Sequence, residues 1–129
     1  MKIIELPWKS PPLSMNDRGA SLKAVYAKSR EVTSIRETSR ILAIAARLPR
    51  DCGHASVELH YRPKTTRRRD TDNLTATAKP IYDGLVDFGL VPDDTPEYMA
   101  KLEPVIHRKG KPSMWLEIVT SDESRELPA

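Results

Sequence analysis

At 129 residues with one cysteine, Cys52, the chain suffices for a single packed domain and offers no internal disulfide. No apolar run reaches membrane-spanning length and the first residues lack a signal-peptide core, so a soluble, intracellular domain is expected. The net charge of +3 hides an asymmetry: residues 1–69 hold fifteen Lys/Arg against six Asp/Glu, and residues 70–129 hold six against twelve. A basic half suits a polyanionic partner, although such runs also serve as plain solvated faces.

Residues 2–8 (KIIELPW) are short, β-branched and apolar, and predict an edge or entry strand ended by Pro7. Residues 9–19 (KSPPLSMNDRG) read as a loop from their Pro, Ser, Asn and Gly content. Asn16 and Arg18 in this loop are candidates for touching phosphate; the plainer reading is a connection with Asn-Asp turn chemistry. Between residues 28 and 48, Val32, Ile35, Leu42 and Leu48 recur near three-to-four spacing, which predicts a helix stopped by Pro49. Its Arg30, Arg36, Arg40 and Arg47 either follow a nucleic-acid backbone or pair with neighbours such as Glu37.

Residues 55–61 (ASVELHY) alternate as a strand, with Val57, Leu59 and Tyr61 on one side and Ser56, Glu58 and His60 on the other. With no second His or Cys at ligand spacing nearby, His60 reads as a polar-face residue rather than a metal ligand. A second helix begins after Asp72, its expected N-cap, and buries Leu74, Ala78, Ile81, Leu85 and Phe88 at alternating steps of four and three. Pro80 is expected to kink it or start a new segment, and Gly89 to stop it. An acidic turn, Val91-Pro92-Asp93-Asp94-Thr95-Pro96, follows. Residues 98–107 and 113–120 read as two strands joined by the hairpin-like basic stretch Arg108-Lys109-Gly110-Lys111, and residues 121–129 as a polar tail. The order β-α-β-α-β-β predicts one α/β (α+β) domain over residues 1–120, a small mixed sheet with two main helices.

The chemistry concentrates in Arg67-Arg68-Arg69-Asp70-Thr71-Asp72-Asn73-Leu74. Guanidinium groups suit phosphate, whereas closely spaced carboxylates repel unless a cation sits between them. If the segment is extended, Asp70 and Asp72 point the same way and offer two hard oxygen ligands suited to Mg²⁺ or Mn²⁺. The Asp93-Asp94 turn is the obvious source of a third carboxylate, and Lys79 is placed to neutralise transition-state charge or protonate a leaving group. Each piece also has a plainer reading. Asp72 caps a helix, Asp70 pairs with an arginine, Asp93-Asp94 makes a turn, and Lys79 pairs with Asp83.

Together, RRRDTDNL, KPIYDGL and GLVPDD, with the early LPWKSPPLSMNDRG, resemble the RusA-type Holliday-junction resolvases over residues 3–119. The resemblance implies a dimeric α/β nuclease that needs Mg²⁺ (Mn²⁺ as a substitute) and acts on four-way or branched DNA. It assigns the metal-binding aspartates to Asp70, Asp72 and Asp94 and the essential lysine to Lys79. Arg67, Arg68, Arg69, Asn73, Asn16 and Arg18 would hold DNA. Between Asn73 and Lys79 the chain carries an apparent three-residue insertion, about 4.5 Å of helix, and an ungapped match would place Ala76 at the lysine position.

The resulting expectation is a structure-selective endonuclease of phage or prophage type, working as a homodimer in the cytoplasm of a bacterial host without a membrane partner. Its reaction would be in-line attack of a metal-activated water, leaving a 5′-phosphate and a 3′-hydroxyl. The rival is a non-catalytic basic DNA-binding protein, which would leave the three aspartates without a purpose. A D-x-D glycosyltransferase would be longer, and a DxDxT phosphotransferase would place an apolar strand where this chain has three arginines.

Overall fold

The computed structural model describes residues 1–13, 21–65 and 71–121, with the backbone alone for residues 71–73. The elements run β1 (Lys2–Glu5), α1 (Leu22–Ala45), β2 (Ala55–Arg62), α2 (Thr71–Phe88), β3 (Met99–Lys101), β4 (Val105–Ile106) and β5 (Ser113–Thr120). They form the small α+β domain anticipated from the element order, a five-stranded mixed sheet with two helices.

Strand order across the sheet is β1-β5-β2-β3, with β4 pairing β2 beyond β3. β5 is antiparallel to both β1 and β2, whereas β3 and β4 run parallel to β2. A parallel neighbour requires a crossover, and α2 supplies it between β2 and β3. The eight-residue β2 is thus the central strand. Its Ala55, Val57, Leu59 and Tyr61 are buried beside Met114, Leu116 and Ile118 of β5 and the apolar faces of the helices. The alternate set, Ser56, Glu58, His60 and Arg62, lies on the other face of the sheet, where only His60 is buried.

The buried stripe of α2 is the one its periodicity predicts: Leu74, Ala78, Ile81, Leu85 and Phe88 are all buried. Gly89, at φ 99°, ends the helix as expected; its N–H bonds to Leu85 and Val86 carbonyls, and that of Leu90 to Leu85. One expectation at this helix needs correction and one narrows. The helix starts at Thr71, so Asp72 stands inside its first turn rather than before it, and the extended geometry invoked for Asp70 and Asp72 does not reach Asp72. The helix also continues through Pro80 without a new segment, because packing of the stripe outweighs the one backbone bond that Pro80 cannot donate.

Helix α1 begins six residues earlier than its apolar pattern suggests. Ser21 caps it, its hydroxyl accepting from the Ala24 N–H at 3.1 Å. The first turns were illegible because their apolar residues face solvent: Leu22, Val25 and Tyr26 are all more than half exposed. At the other end, Arg47 adopts φ 55° and the Leu48 N–H reaches back to the Ala43 carbonyl, so the chain turns before Pro49.

The two helices approach closely at Gly84. A Cβ there would lie 2.3 Å from the Arg36 carbonyl oxygen and 2.7 Å from the Ser39 Cβ. Ser39, buried, donates to the Ile81 carbonyl at 2.6 Å across the same contact. On its rim Arg36 makes a two-pronged bond to Asp87, at 2.5 and 2.7 Å, and Arg40 pairs with Glu37. Arg36 and Arg40 are therefore engaged within the fold, as the plainer reading expected for Arg40 and Glu37.

The last third of the chain departs most from expectation. The strand anticipated over residues 98–107 is broken into β3 and β4, with Leu102-Glu103-Pro104 between them. Neither pairs with β5. The basic stretch before β5 carries the chain across to the opposite side of β2, which sits between β4 and β5, so no hairpin forms.

Candidate functional site

A concave region of about 350 Å³ opens beside α2. Thr75, Ala78, Lys79 and Tyr82 line it from the helix, one face at steps of three and four. Lys101, Leu102, Glu103 and Pro104 line it from the end of β3 and the break that follows. The parallel register Val57↔Lys101 places Lys101 at this rim.

Asp94 reaches the same rim. Its carboxylate accepts from the Lys101 ammonium at 3.1 Å, and its N–H donates to the Asp93 side chain at 2.8 Å. The hydrogen bond from Lys101, reinforced by the charges of Lys101 and Lys79, holds the Asp94 carboxyl below the usual carboxylate range. Lys79 is largely exposed and sits 3.7 Å from Asp83, a loose ion pair one turn along the helix. Burial pushes the Tyr82 hydroxyl well above the usual tyrosine range, so this wall of the pocket stays uncharged.

Of the residues singled out in the sequence, Asp94 and Lys79 are thus brought to one place. Asp72 and Asn73 belong to the first turn of α2, with position 72 about 10 Å of helix before Lys79. Asn16, Arg18, Arg67, Arg68, Arg69 and Asp70 lie outside the described residues, as do residues 122–129 of the anticipated tail. Sequence reasoning missed Lys101. It stands seven residues after Asp94, beyond the turn that Tyr98 and Met99 close on the Thr95 carbonyl, and that spacing matches no motif.

A second cluster occupies the opposite face of the sheet. Glu58 of β2 and Glu117 of β5 are direct partners in the antiparallel register, and His60 follows Glu58 on the same face. The His60 Nε2 lies 2.8 Å from Glu58 Oε1 and 3.3 Å from Glu117 Oε2, and its Nδ1 lies 2.8 Å from His107 Nε2. Trp115 stacks on the His60 ring at 5.2 Å and donates its indole N–H to Glu117 at 3.2 Å. The Arg62 guanidinium lies over the Trp115 ring at 5.1 Å. His60 is therefore on the polar face, as read from the alternation, yet it is buried and has a histidine neighbour. That neighbour is 47 residues away, so a search for nearby ligand spacing could not find it.

No helix among the described residues is long and apolar enough to cross a membrane. In comparisons with known proteins, no protein-family model and no curated sequence matches this chain.

Proposed function

We propose that the chain is a metal-dependent, structure-selective endonuclease that nicks four-way or branched DNA. The observation that carries the reading is the meeting of Asp94, Lys79 and Lys101 beside α2, whose first turn holds Asp72 directly after the Arg67–Asp70 stretch. A carboxylate with two ammonium groups near it, in a chain that also carries a guanidinium-rich segment, suits binding of both an anion and a cation.

The donor set fits Mg²⁺ or Mn²⁺: Asp94, with Asp70 and Asp72, offers only hard carboxylate oxygens. When bound, such an ion supplies an activated water for in-line attack on phosphorus, leaving a 5′-phosphate and a 3′-hydroxyl. The chain's own groups do the rest. Asp94 stays ionised because Lys101 and Lys79 hold its proton off. Lys79, exposed and only loosely tied to Asp83, is free to turn toward a phosphate and offset charge on the leaving oxygen. Arg67, Arg68 and Arg69 would grip flanking phosphates, with Asn73, Asn16 and Arg18 as further DNA contacts.

A twofold dimer would match the two equivalent strands of a four-way junction. Such an enzyme would work in the cytoplasm of a bacterial host, as its likeness to resolvases of phage and prophage type suggests. The rival, a non-catalytic DNA-binding protein using the basic half, would have two of its α1 arginines already paired, Arg36 with Asp87 and Arg40 with Glu37.

The test is nicking of a four-way junction and of linear duplex with Mg²⁺, Mn²⁺ or EDTA. We expect the wild type to nick the junction only with a divalent ion. Asp70→Asn should keep junction binding and lose cleavage. Cutting by that variant at the wild-type rate in Mg²⁺ would remove the metal assignment.

A further inference from the structure

Glu58 and Glu117 face each other on the two innermost strands, a like-charge pair that repels unless a cation stands between them. Both carboxylates converge on one atom, the His60 Nε2. Three donor atoms, two oxygens and one imidazole nitrogen, lie within 4.8 Å of one another. Four ligands at about 2.0–2.1 Å around a tetrahedral ion stand about 3.3 Å apart, and the two distances from Nε2, 2.8 and 3.3 Å, bracket the close side of that spacing.

The surroundings are those of a metal ligand. A ligating imidazole is held at its other nitrogen by a hydrogen bond, and ligating carboxylates are themselves hydrogen-bonded. Here His107 holds the His60 Nδ1, and the Trp115 indole holds Glu117. His60 is 6% exposed and its ring is stacked on Trp115, so its direction is set before any ion arrives. The two glutamate side chains are each about a quarter exposed, which leaves an approach from solvent.

We propose that Glu58, His60 and Glu117 form a transition-metal site, selective for Zn²⁺ over Mg²⁺, on the face of the sheet opposite α2. A nitrogen-and-oxygen donor set favours Zn²⁺, whereas Mg²⁺ prefers oxygen alone. On loading, the ion takes the place of the proton at His60 Nε2. Without the ion, His60 carries its proton on Nε2 and accepts at Nδ1 from the His107 Nε2–H. With it, the shared proton sits on His60 Nδ1, which donates to His107 Nε2. The displaced Nε2 proton goes to water, and His107 takes one from water at Nδ1. The neutral histidine pair therefore holds two protons before and after, one released to water and one taken from it. The site is separate from the carboxylates proposed for DNA cleavage, and the proposal does not depend on that function.

Zn²⁺ binding is measured by competition with a chromogenic chelator in excess Mg²⁺. We expect one Zn²⁺ per chain, unaffected by Asp94→Asn and weakened at least tenfold in the double variant Glu58→Gln, Glu117→Gln. The double variant should melt no lower than the wild type without metal, since it relieves the opposed charges. His107→Gln should weaken binding by about 10–100-fold. On the unaltered chain, nitrogen-detected NMR should show His60 switching to the Nδ1–H tautomer as Zn²⁺ is added. Wild-type affinity equal to that of the double variant, sensitivity to Asp94→Asn instead, or an unchanged His60 signal would each overturn the assignment.

Discussion

The Lys101 ammonium donates to the Asp94 carboxylate at 3.1 Å, so the carboxylate proposed to hold a metal already has a cation. A divalent ion at Asp94 has to displace that contact or share it. Both side chains are more than a third exposed, so solvent screens the pair and an ion can displace it at little cost. Lys101→Met should therefore lower the Mg²⁺ concentration for half-maximal junction nicking by up to about fivefold. A Mg²⁺ titration of nicking rate measures this, and an unchanged midpoint would show that Lys101 does not compete with the ion.

Gly84 is where α1 and α2 touch through their backbones. The Arg36 carbonyl that a Cβ would strike at 2.3 Å belongs to a helix and cannot swing aside. Gly84→Ala should lose about 1–3 kcal/mol despite the better helix propensity of alanine, because overpacking forces the helices apart. Chemical denaturation of both proteins gives the difference directly. Equal stability would mean that the helices can separate without loss.

Asp87 gives a pH-dependent contribution. The Arg36 hydrogen bonds hold its folded-state carboxyl below the ordinary value of 3.8, so the folded chain binds fewer protons there than the unfolded one. Stability from this pair is present above 3.8 and is lost as pH falls through the lower folded value. Asp87→Asn should cost about 0.5–1 kcal/mol at pH 7, a modest sum because both partners are partly exposed. The cost should shrink toward zero in acid. Denaturation at a series of pH values would read it, and a constant difference would assign the loss to packing instead.

Arg47 sits in the left-handed region at φ 55°, where a side chain is strained and glycine is not. Its N–H and that of Leu48 close the end of α1 on the Ile44 and Ala43 carbonyls, a backbone arrangement independent of the side chain. Arg47→Gly should raise stability by about 0.5 kcal/mol, the relief of strain exceeding the extra entropy of an unfolded glycine. The expected readout is a melting temperature one or a few degrees higher; a lower one would show that the arginine side chain stabilises the turn.

Local pattern carried much of the architecture. The stripe of α2 and the alternation of β2 depend on spacing within one element, and every residue expected on the α2 stripe is buried. The start of α1 was hidden for a related reason: Leu22, Val25 and Tyr26 are apolar but exposed, so periodicity keyed to burial finds no signal there. The break between β3 and β4 and the false hairpin trace to pairing choices that no local pattern encodes. Chain neighbours such as β4 and β5 usually pair, but here β2 takes a place between them.

By itself the sequence determined the element types, the buried faces of β2 and α2, and the choice of Asp94 and Lys79 as chemically notable residues. Those are properties of short windows, set by side-chain periodicity and by which groups carry charge. Only the tertiary structure decided what meets what: Lys79 of α2 and Lys101 of β3 on one concave rim, and Glu58 opposite Glu117 with His107 beside His60 through the strand order. The physical reason is register. Which distant residues share a rung depends on how all the strands pack at once, and no single window holds that information.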